Sequence, residues 1–238
     1  MATFTTKLIQ KDAITDNITA FHFEKTEGFM YKPGQHATLR LVNAPAIDDE
    51  GNERTLSLTT IPSDNSIGFA TRIRDSAFKQ NLKNMAIGET VEVSDPRGGM
   101  VLPNDTSRPL VFFAGGIGIT PFISMIREAA KNNFAQKITF FYANQTTKQA
   151  AFLDELTSIK KTHSAFTFVP TITREDPMWL GEKGHITSSM IKKYIPDTEN
   201  TIFYLAGPQA LVTGVTEVLN QLGVDSLFIR SEDFGEYK

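Results

Sequence analysis

The chain has 238 residues, 40% of them hydrophobic, and its 24 basic and 27 acidic side chains are interspersed to a net charge of −3. This composition suits one large or two modest packed domains, and it offers neither a basic stripe for nucleic acid nor an apolar run that could span a membrane. The sequence has no cysteine, which excludes disulfides, thiol nucleophiles and Cys-ligated zinc or iron–sulfur centres.

The remaining composition narrows the chemistry further. The four histidines lack metal-ligand spacing, so we predict no metal site. Any redox chemistry must then come from a bound organic cofactor. The first residues lack the apolar core of a signal peptide, and we therefore expect a cytoplasmic protein.

Residues 1–103 are predicted to form an antiparallel β-barrel. Turn residues separate six short β-rich runs, at 8–14, 18–23, 36–42, 55–60, 67–73 and 90–93. Strands at this spacing are typical of small barrels. A helical pattern at 76–85, with Phe78, Leu82 and Met85 on one face, interrupts them.

Residues 108–238 show a different pattern, in which strands and helices alternate. The predicted strands are 109–113, 138–143, 166–172, 201–205 and 226–230, and the predicted helices are 121–131, 149–160, 187–194 and 208–222. Alternation of this kind indicates a doubly wound α/β domain with a parallel sheet.

A glycine-rich loop follows the first strand of this α/β domain. Segment 114–121 reads Ala-Gly-Gly-Ile-Gly-Ile-Thr-Pro. Glycines let the backbone come close to a ligand, while Thr120 suits an N-cap and Pro121 the first helical position. Because a helix N-terminus attracts phosphate, the loop is interpreted as a pyrophosphate site. A ligand-free turn has the same composition, and Pro121 stands where the usual dinucleotide fingerprint has a third glycine.

Five segments, in order, carry a resemblance to a known family. They are 31–35 (Tyr-Lys-Pro-Gly-Gln), 54–57 (Arg-Thr-Leu-Ser), 115–121, 206–208 (Ala-Gly-Pro) and 232–237 (Glu-Asp-Phe-Gly-Glu-Tyr). The chain resembles the ferredoxin–NADP reductase superfamily, in the flavin-reductase branch without an iron–sulfur domain. The resemblance implies a flavin-binding barrel followed by an NAD(P)-binding domain, with hydride passing from NAD(P)H to flavin N5 in a cleft between them.

The resemblance also implies roles for individual residues. Arg54 would pair with a flavin phosphate and Ser57 would lie beside flavin N5. Ser76 and the amides after it would hold phosphate, although plain helix capping explains Ser76 nearly as well. Phe234 and Tyr237 are candidates to cover the flavin ring, and with Ser57 they form the predicted catalytic set. The predicted cofactor-binding set is Arg54, Thr55, Leu56, Ser57, Thr71, Arg72, Arg74, Ser76, Gly115, Gly116, Gly118, Thr120, Pro121, Gly207 and Pro208.

Three departures from the family pattern bear on these roles. Leu56 replaces an aromatic residue beside the flavin, which removes a stacking surface worth about 1 kcal/mol. Ala206 replaces a cysteine near the site of hydride transfer. The tail spacing leaves open which of Phe234 and Tyr237 covers the flavin.

The expected cofactors are FAD, with FMN as an alternative, and NADH rather than NADPH. Gln145 and Glu182 stand where relatives often place the arginine that binds the 2′-phosphate of NADPH, whereas Lys148 and Lys183 could supply a cation.

The sequence therefore predicts a flavin-dependent oxidoreductase that passes electrons to a separate acceptor. The expected acceptor is a ferredoxin-type protein, a ferric chelate or a similar compound. One alternative is an NAD(P)H:flavin reductase for which free flavin is a substrate. A third interpretation, from another class, is a non-catalytic electron-transfer or regulatory subunit.

Overall fold

The computed structural model describes residues 3–174 and 176–234. The chain divides into two compact units, Met1–Leu102 with Thr120–Glu128, and Pro103–Ile119 with Ala129–Lys238. Within the described ranges, no helix combines the length and apolar character that crossing a membrane requires.

The first unit is built on a six-stranded antiparallel sheet. Its strands are β1 Thr3–Thr15, β2 Ile18–Glu24, β3 His36–Leu41, β4 Glu53–Ser57, β5 Ser66–Arg72 and β6 Thr90–Ser94. They lie in the order β4-β3-β6-β1-β2-β5. Just after β4, Leu58 bridges Phe69 of β5, and the Thr59 N–H donates to the Gly68 carbonyl at 2.8 Å. The two outer strands thus approach each other, and the sheet curls into a barrel.

Alternating side chains of the strands fill the barrel core, as a sheet with one buried face requires. Phe21, Phe23 and Phe69 are fully buried there. Helix α1, Ala77–Asn84, adds Phe78 and Leu82 to the same core, and Met85 follows it. The predicted apolar face of this helix is confirmed.

The second unit contains a parallel sheet with helices. Its strands are β7 Leu110–Gly115, β8 Ile138–Asn144, β9 Phe166–Ile172, β10 Glu182–Lys183, β11 Ile202–Gly207 and β12 Ile229–Asp233. Helices α2 Thr120–Lys131, α3 Leu153–Thr162, α4 Ser188–Tyr194 and α5 Gln209–Gln221 alternate with them. The strand order is β10-β9-β8-β7-β11-β12, and residues 120–128 of α2 cluster with the first unit.

The central strands β7 and β11 are buried along their whole length, because helices cover both faces of a doubly wound sheet. Aromatic rings fill one face, where Phe113 stacks on Phe141 and Phe203 at centroid distances of 5.0 and 6.4 Å. The predicted fold class, an antiparallel barrel followed by a doubly wound α/β domain, is confirmed.

Several local predictions differ from the structure. The chain from Gly116 to Ile119 forms a 3₁₀ turn that runs directly into α2 at Thr120. Thr120 is therefore a helical residue and not an isolated N-cap. The strand predicted at 67–73 ends at Arg72, so Arg74 lies beyond it. The last strand begins at Ile229, three residues later than expected, since 226–228 form a 3₁₀ turn.

Candidate functional site

The carboxyl ends of β7 and β11 form a switch point in the second unit. Strand order runs from β7 through β8 and β9 on one side and through β11 and β12 on the other. In open α/β sheets, ligands bind outside the carboxyl ends of the strands where the order reverses. The glycine loop, 115–118, follows β7, and Gly207-Pro208 follows β11. The structure thus brings together two motifs that are about ninety residues apart in the sequence.

Close backbone packing explains why glycines occupy this switch point. A Cβ on Gly118 would overlap the Ala206 carbonyl and lie 2.6 Å from the Gly207 Cα. Gly207 has a φ of +146°, and a Cβ there would lie 3.0 Å from the Gly115 amide nitrogen. The sequence interpretation assigned Gly118 to close approach of a ligand, whereas the structure shows that Gly118 also packs directly against β11.

Asn144 lies at the end of β8, on the same edge of the sheet, and sequence analysis did not single it out. Its side chain is 5% exposed, and neither its Oδ1 nor its Nδ2 has a hydrogen-bond partner among the described residues. Burying an unpaired amide is costly, so such a group at a ligand-binding edge fits a polar ligand. The signal available in the sequence was its position, where an acid that binds ribose would otherwise stand.

Phe234, the last described residue, lies at this edge. Its N–H donates to the Gly207 carbonyl at 3.1 Å, directly after β12. Ala206, which replaces the family cysteine, is fully buried at the end of β11. Tyr237 lies outside the described residues, and a covering role for Phe234 or Tyr237 stays a prediction.

Arg54 is the centre of a charged cluster in the first unit. Its Nη2 lies 2.7 Å from the Glu50 carboxylate and 3.4 Å from Asp48 Oδ1. Its Nη1 donates to the carbonyl oxygens of Glu50, Gly51 and Glu53 at 2.7–3.2 Å, and its guanidinium lies 5.2 Å from the Phe78 ring centroid. The guanidinium is therefore held at the start of α1.

The N-terminus of α1 completes an arrangement suited to phosphate. Ala77 N–H donates to Asp48 Oδ2 at 2.8 Å. Ser76 has extended backbone and makes no capping bond with its side chain, and its buried Oγ has no hydrogen-bond partner in the described part of the chain. A guanidinium, a helix amide and a hydroxyl are the donors that phosphate oxygens accept from, so these residues fit the phosphate of a flavin.

Further cations surround this arrangement. Burial lowers the pKa of Lys79, and the guanidinium groups of Arg74, Arg54 and Arg72 lower it further. Four basic side chains thus lie near the start of α1, opposed by the carboxylates of Asp48 and Glu50. Arg72 and Arg74 are both among these side chains, although only Arg72 lies in the strand.

The other residues of the predicted flavin motif lie along β4 and β5. Ser57, the last residue of β4, is 6% exposed. Leu56 packs partly against the barrel core, and the Thr55 hydroxyl lies 3.1 Å from that of Thr38. Thr71 is buried in β5. Strand alternation places Arg54 and Leu56 on one face of β4 and Thr55 and Ser57 on the other.

The outer edge of the parallel sheet bears on nucleotide choice. The Glu182 carboxylate accepts bonds from Lys193 Nζ at 2.6 Å and Tyr194 Oη at 2.7 Å, and these bonds lower the pKa of Glu182. The exposed residue Arg174, which the sequence interpretation did not weigh, follows β9, and its N–H donates to the Gln145 carbonyl at 3.1 Å.

Comparison with known proteins identifies relatives of the second unit and of nearly the whole chain. Residues 112–217 match the oxidoreductase NAD-binding domain family. The chain is 30% identical to human NADH-cytochrome b5 reductase 2, over 91% of this chain and 89% of that protein. It is 28% identical to NADH-cytochrome b5 reductase 1 of Aspergillus terreus, over 91% and 76% of the two chains.

A solved structure extends the similarity to the whole fold. The flavohaem-like FAD/NAD-binding domain of nitric oxide dioxygenase from Vibrio cholerae superposes with a TM-score of 0.83 at 22% identity, covering 97% of this chain and 98% of that one. The predicted resemblance is therefore confirmed: the chain belongs to the ferredoxin–NADP reductase superfamily, in the family of the NADH-cytochrome b5 reductases, and is an NAD(P)H-dependent flavin oxidoreductase.

Proposed function

We propose that this protein transfers electrons from NADH through FAD to a separate haem-protein acceptor of the cytochrome b5 kind. The observation that carries the proposal is the switch point of the second unit, where glycine-lined strand ends lie beside Asn144. The buried amide of Asn144 has no hydrogen-bond partner among the described residues. This combination suits a dinucleotide, which needs close backbone approach and polar partners.

Residues of the second unit would hold the nicotinamide nucleotide. The loop 115–118 offers backbone at the end of β7, and Asn144 offers one donor group and one acceptor group at the end of β8. The Tyr142 hydroxyl donates to the Gly116 carbonyl at 3.1 Å, and this bond fixes the loop to the neighbouring strand. These residues bind and orient the nucleotide and need not exchange protons.

Residues of the first unit would hold the flavin. Arg54, Ser76 and the α1 amide supply donors for its phosphate. Bound flavin supplies the redox chemistry, because it accepts a hydride and releases electrons singly or in pairs. Ser57 adds a hydroxyl at the end of β4. This hydroxyl can accept a hydrogen bond as well as donate one, so it suits a flavin nitrogen in either protonation state.

The choice of acceptor rests on the relatives, whose names specify cytochrome b5. Ferredoxin-type proteins and ferric chelates, expected from the sequence, are retained as comparison arms of the test. The absence of cysteine means that this sequence supplies no Cys-ligated iron–sulfur centre, so electrons leave the flavin for a centre that these residues do not provide.

The test measures NADH oxidation at equal flavin occupancy with cytochrome b5, a ferredoxin, ferric citrate and free FMN. We expect the highest kcat/KM with cytochrome b5. A higher value with ferredoxin or ferric citrate would contradict the proposed acceptor, and no NADH oxidation with any acceptor would favour a non-catalytic role. An Asn144→Ala variant should raise the KM for NADH, with Asn43→Ala, at an exposed position of the first unit, as the matched control.

A second candidate is an NADH:flavin reductase that uses free flavin as a substrate. One observation favours it: the Asp48 carboxylate already contacts Ala77 N–H and Arg54, the groups assigned to flavin phosphate. Weakly held flavin would leave the purified protein colourless, whereas the first proposal predicts a yellow protein that retains FAD through gel filtration.

A further inference from the structure

An acidic segment of the chain lies against the groups assigned to flavin phosphate. This segment, residues 43–52 between β3 and β4, is called the acidic loop below and contains Asp48, Asp49 and Glu50. Asp48 Oδ2 accepts from Ala77 N–H at 2.8 Å, and Asp48 Oδ1 lies 3.4 Å from Arg54 Nη2. One carboxylate therefore joins the helix N-terminus to the guanidinium, as a bound phosphate would.

Additional contacts fix the acidic loop in this position. Asn81 Nδ2 donates to the Ala46 carbonyl at 2.6 Å, which ties the loop to α1. Arg54 Nη1 donates to the carbonyl oxygens of Glu50 and Gly51, and the Glu50 carboxylate lies 2.7 Å from Arg54 Nη2. The loop is thus held by its backbone as well as by its charges.

The Ala77 amide cannot donate to the Asp48 carboxylate and to a flavin phosphate at the same time. A backbone N–H has one hydrogen, so the Ala77 amide bonded to Asp48 is unavailable to a phosphate oxygen. A second anion near Asp48 would also meet like-charge repulsion. The Ala77 amide, followed by the Glu50 amide and Arg54, lowers the pKa of Asp48, and the carboxylate is therefore charged at neutral pH.

We propose that Asp48 is an internal competitor for the flavin phosphate and sets how strongly this protein distinguishes phosphorylated from unphosphorylated flavin. The inference rests on the proposed function, which assigns the phosphate to Arg54 and the start of α1. Binding of FAD or FMN requires Asp48 to release the Ala77 amide, and part of the phosphate's interaction energy offsets that release. Riboflavin has no phosphate and does not compete with Asp48.

The substitution Asp48→Asn tests this directly. Asparagine keeps an oxygen that can accept from Ala77 N–H but removes the charge that competes with phosphate. We expect the Kd of the flavin-free protein for FAD and for FMN to fall about tenfold, while the Kd for riboflavin stays the same. Quenching of flavin fluorescence measures all three.

The matched control is Asp49→Asn, which removes the same charge from an exposed neighbour in the acidic loop. It should leave all three Kd values within about twofold, because exposed charges are screened. If Asp48→Asn fails to fold, Glu50→Gln removes the 2.7 Å pair with Arg54 and should tighten FAD and FMN binding by a smaller factor.

Two results would overturn the inference. Unchanged or weaker FAD binding by Asp48→Asn would show that Asp48 does not compete, and equal tightening for riboflavin would show that the phosphate is not involved. Failure of the proposed function has a different signature, in which the unsubstituted protein and Arg54→Ala bind FAD equally weakly.

Discussion

The two regions that we propose to bind nucleotides are built by opposite means. The proposed flavin-phosphate region of the first unit depends on charged side chains. It is formed by Arg54, Ser76 and the start of α1, with Asp48 against them. The switch point of the second unit, formed by 115–118 and Gly207, depends on the absence of side chains. The ion pairs of the first region can rearrange, whereas the backbone of the second region is fixed by packing.

This difference has energetic consequences. Partly exposed charges are screened by salt and can be paired in more than one way, so internal carboxylates can regulate the first region. Backbone atoms in contact cannot rearrange without moving a strand, because protein interiors are close-packed. We therefore expect substitutions at the switch point to affect folding and those around Arg54 to affect mainly ligand binding.

The largest expected effect comes from Gly118→Val at the switch point. Its side chain would overlap the Ala206 carbonyl and the Gly207 backbone, and overpacking of this kind costs on the order of 3 kcal/mol. We expect the free energy of unfolding of the second unit to fall and reduction by NADH to be lost, as measured by thermal unfolding and stopped-flow absorbance.

Gly214→Ala in α5 is the matched control, because a Cβ there meets no atom within 4 Å. Alanine in a helix is favoured over glycine by about 1 kcal/mol, so this variant should be as stable as the parent or more so. A Gly118→Val protein with normal stability and normal reduction by NADH would contradict the packing explanation.

The next effect in size is the loss of flavin affinity in Arg54→Ala. Charge-assisted hydrogen bonds contribute about 1.5–3 kcal/mol, so the Kd for FAD should rise roughly 10- to 100-fold. Affinity in the parent should fall as salt rises, and Arg54→Ala should lose most of that salt dependence. Arg40→Ala serves as the control, since Arg40 is half exposed and pairs with Glu53 and Glu92. FAD binding that is equally weak in both variants would contradict the assignment of Arg54 to the flavin phosphate.

Sequence patterns predicted both folds because each follows from local periodicity. The strand predicted at 166–172 has the same bounds as β9, since a short run of apolar and β-branched residues is itself the sequence signal of a buried strand. Ends of elements were less predictable. Thr120 is a residue type that favours the N-cap position, but the chain before it already forms a 3₁₀ turn. Residue type alone does not distinguish a helix that begins at an N-cap from one that continues a 3₁₀ turn.

The sites show a similar limit. The motif at 54–57 identified Arg54, yet nothing in it indicated that Asp48 and Glu50 would pair with that guanidinium. Asn144 was overlooked because its significance lies in being buried without a hydrogen-bond partner in the described part of the chain, which is a property of the folded chain. Local motifs supply the donors for a ligand, whereas tertiary packing decides which donors are already engaged.

Nucleotide choice should produce a smaller effect than either substitution. Glu182, engaged with Lys193 and Tyr194, keeps a negative charge at the edge of the sheet, and we expect kcat/KM about tenfold higher for NADH than for NADPH. Arg174 adds a cation close to Gln145 along the chain fold, since its backbone N–H donates to the Gln145 carbonyl, and this cation would soften the preference. Arg174→Ala should therefore reduce the use of NADPH more than that of NADH, with Lys192→Ala on α4 as the control. A preference for NADPH in the parent would contradict the prediction.

The smallest expected effect concerns pH and lies outside both nucleotide regions. His22 Nε2 is 3.3 Å from Asp12 Oδ2, and its Nδ1 is 3.4 Å from Ser66 Oγ. Burial lowers the pKa of His22 and nearby Arg127 lowers it further, against the opposing effects of Asp12 and Asp64. The folded protein then binds the proton on His22 less readily than the unfolded chain does, so neutral His22 favours the folded state. Its contribution to the free energy of unfolding is present in full above pH about 6.5. It is lost as the pH falls through the lowered pKa of the folded state. His22→Gln should flatten the dependence of Tm on pH in this window and leave FAD affinity unchanged, since the contacts of His22 are with Asp12 and Ser66 and not with the groups assigned to flavin phosphate. An unaltered profile of Tm against pH in the variant would assign the acid sensitivity to another group.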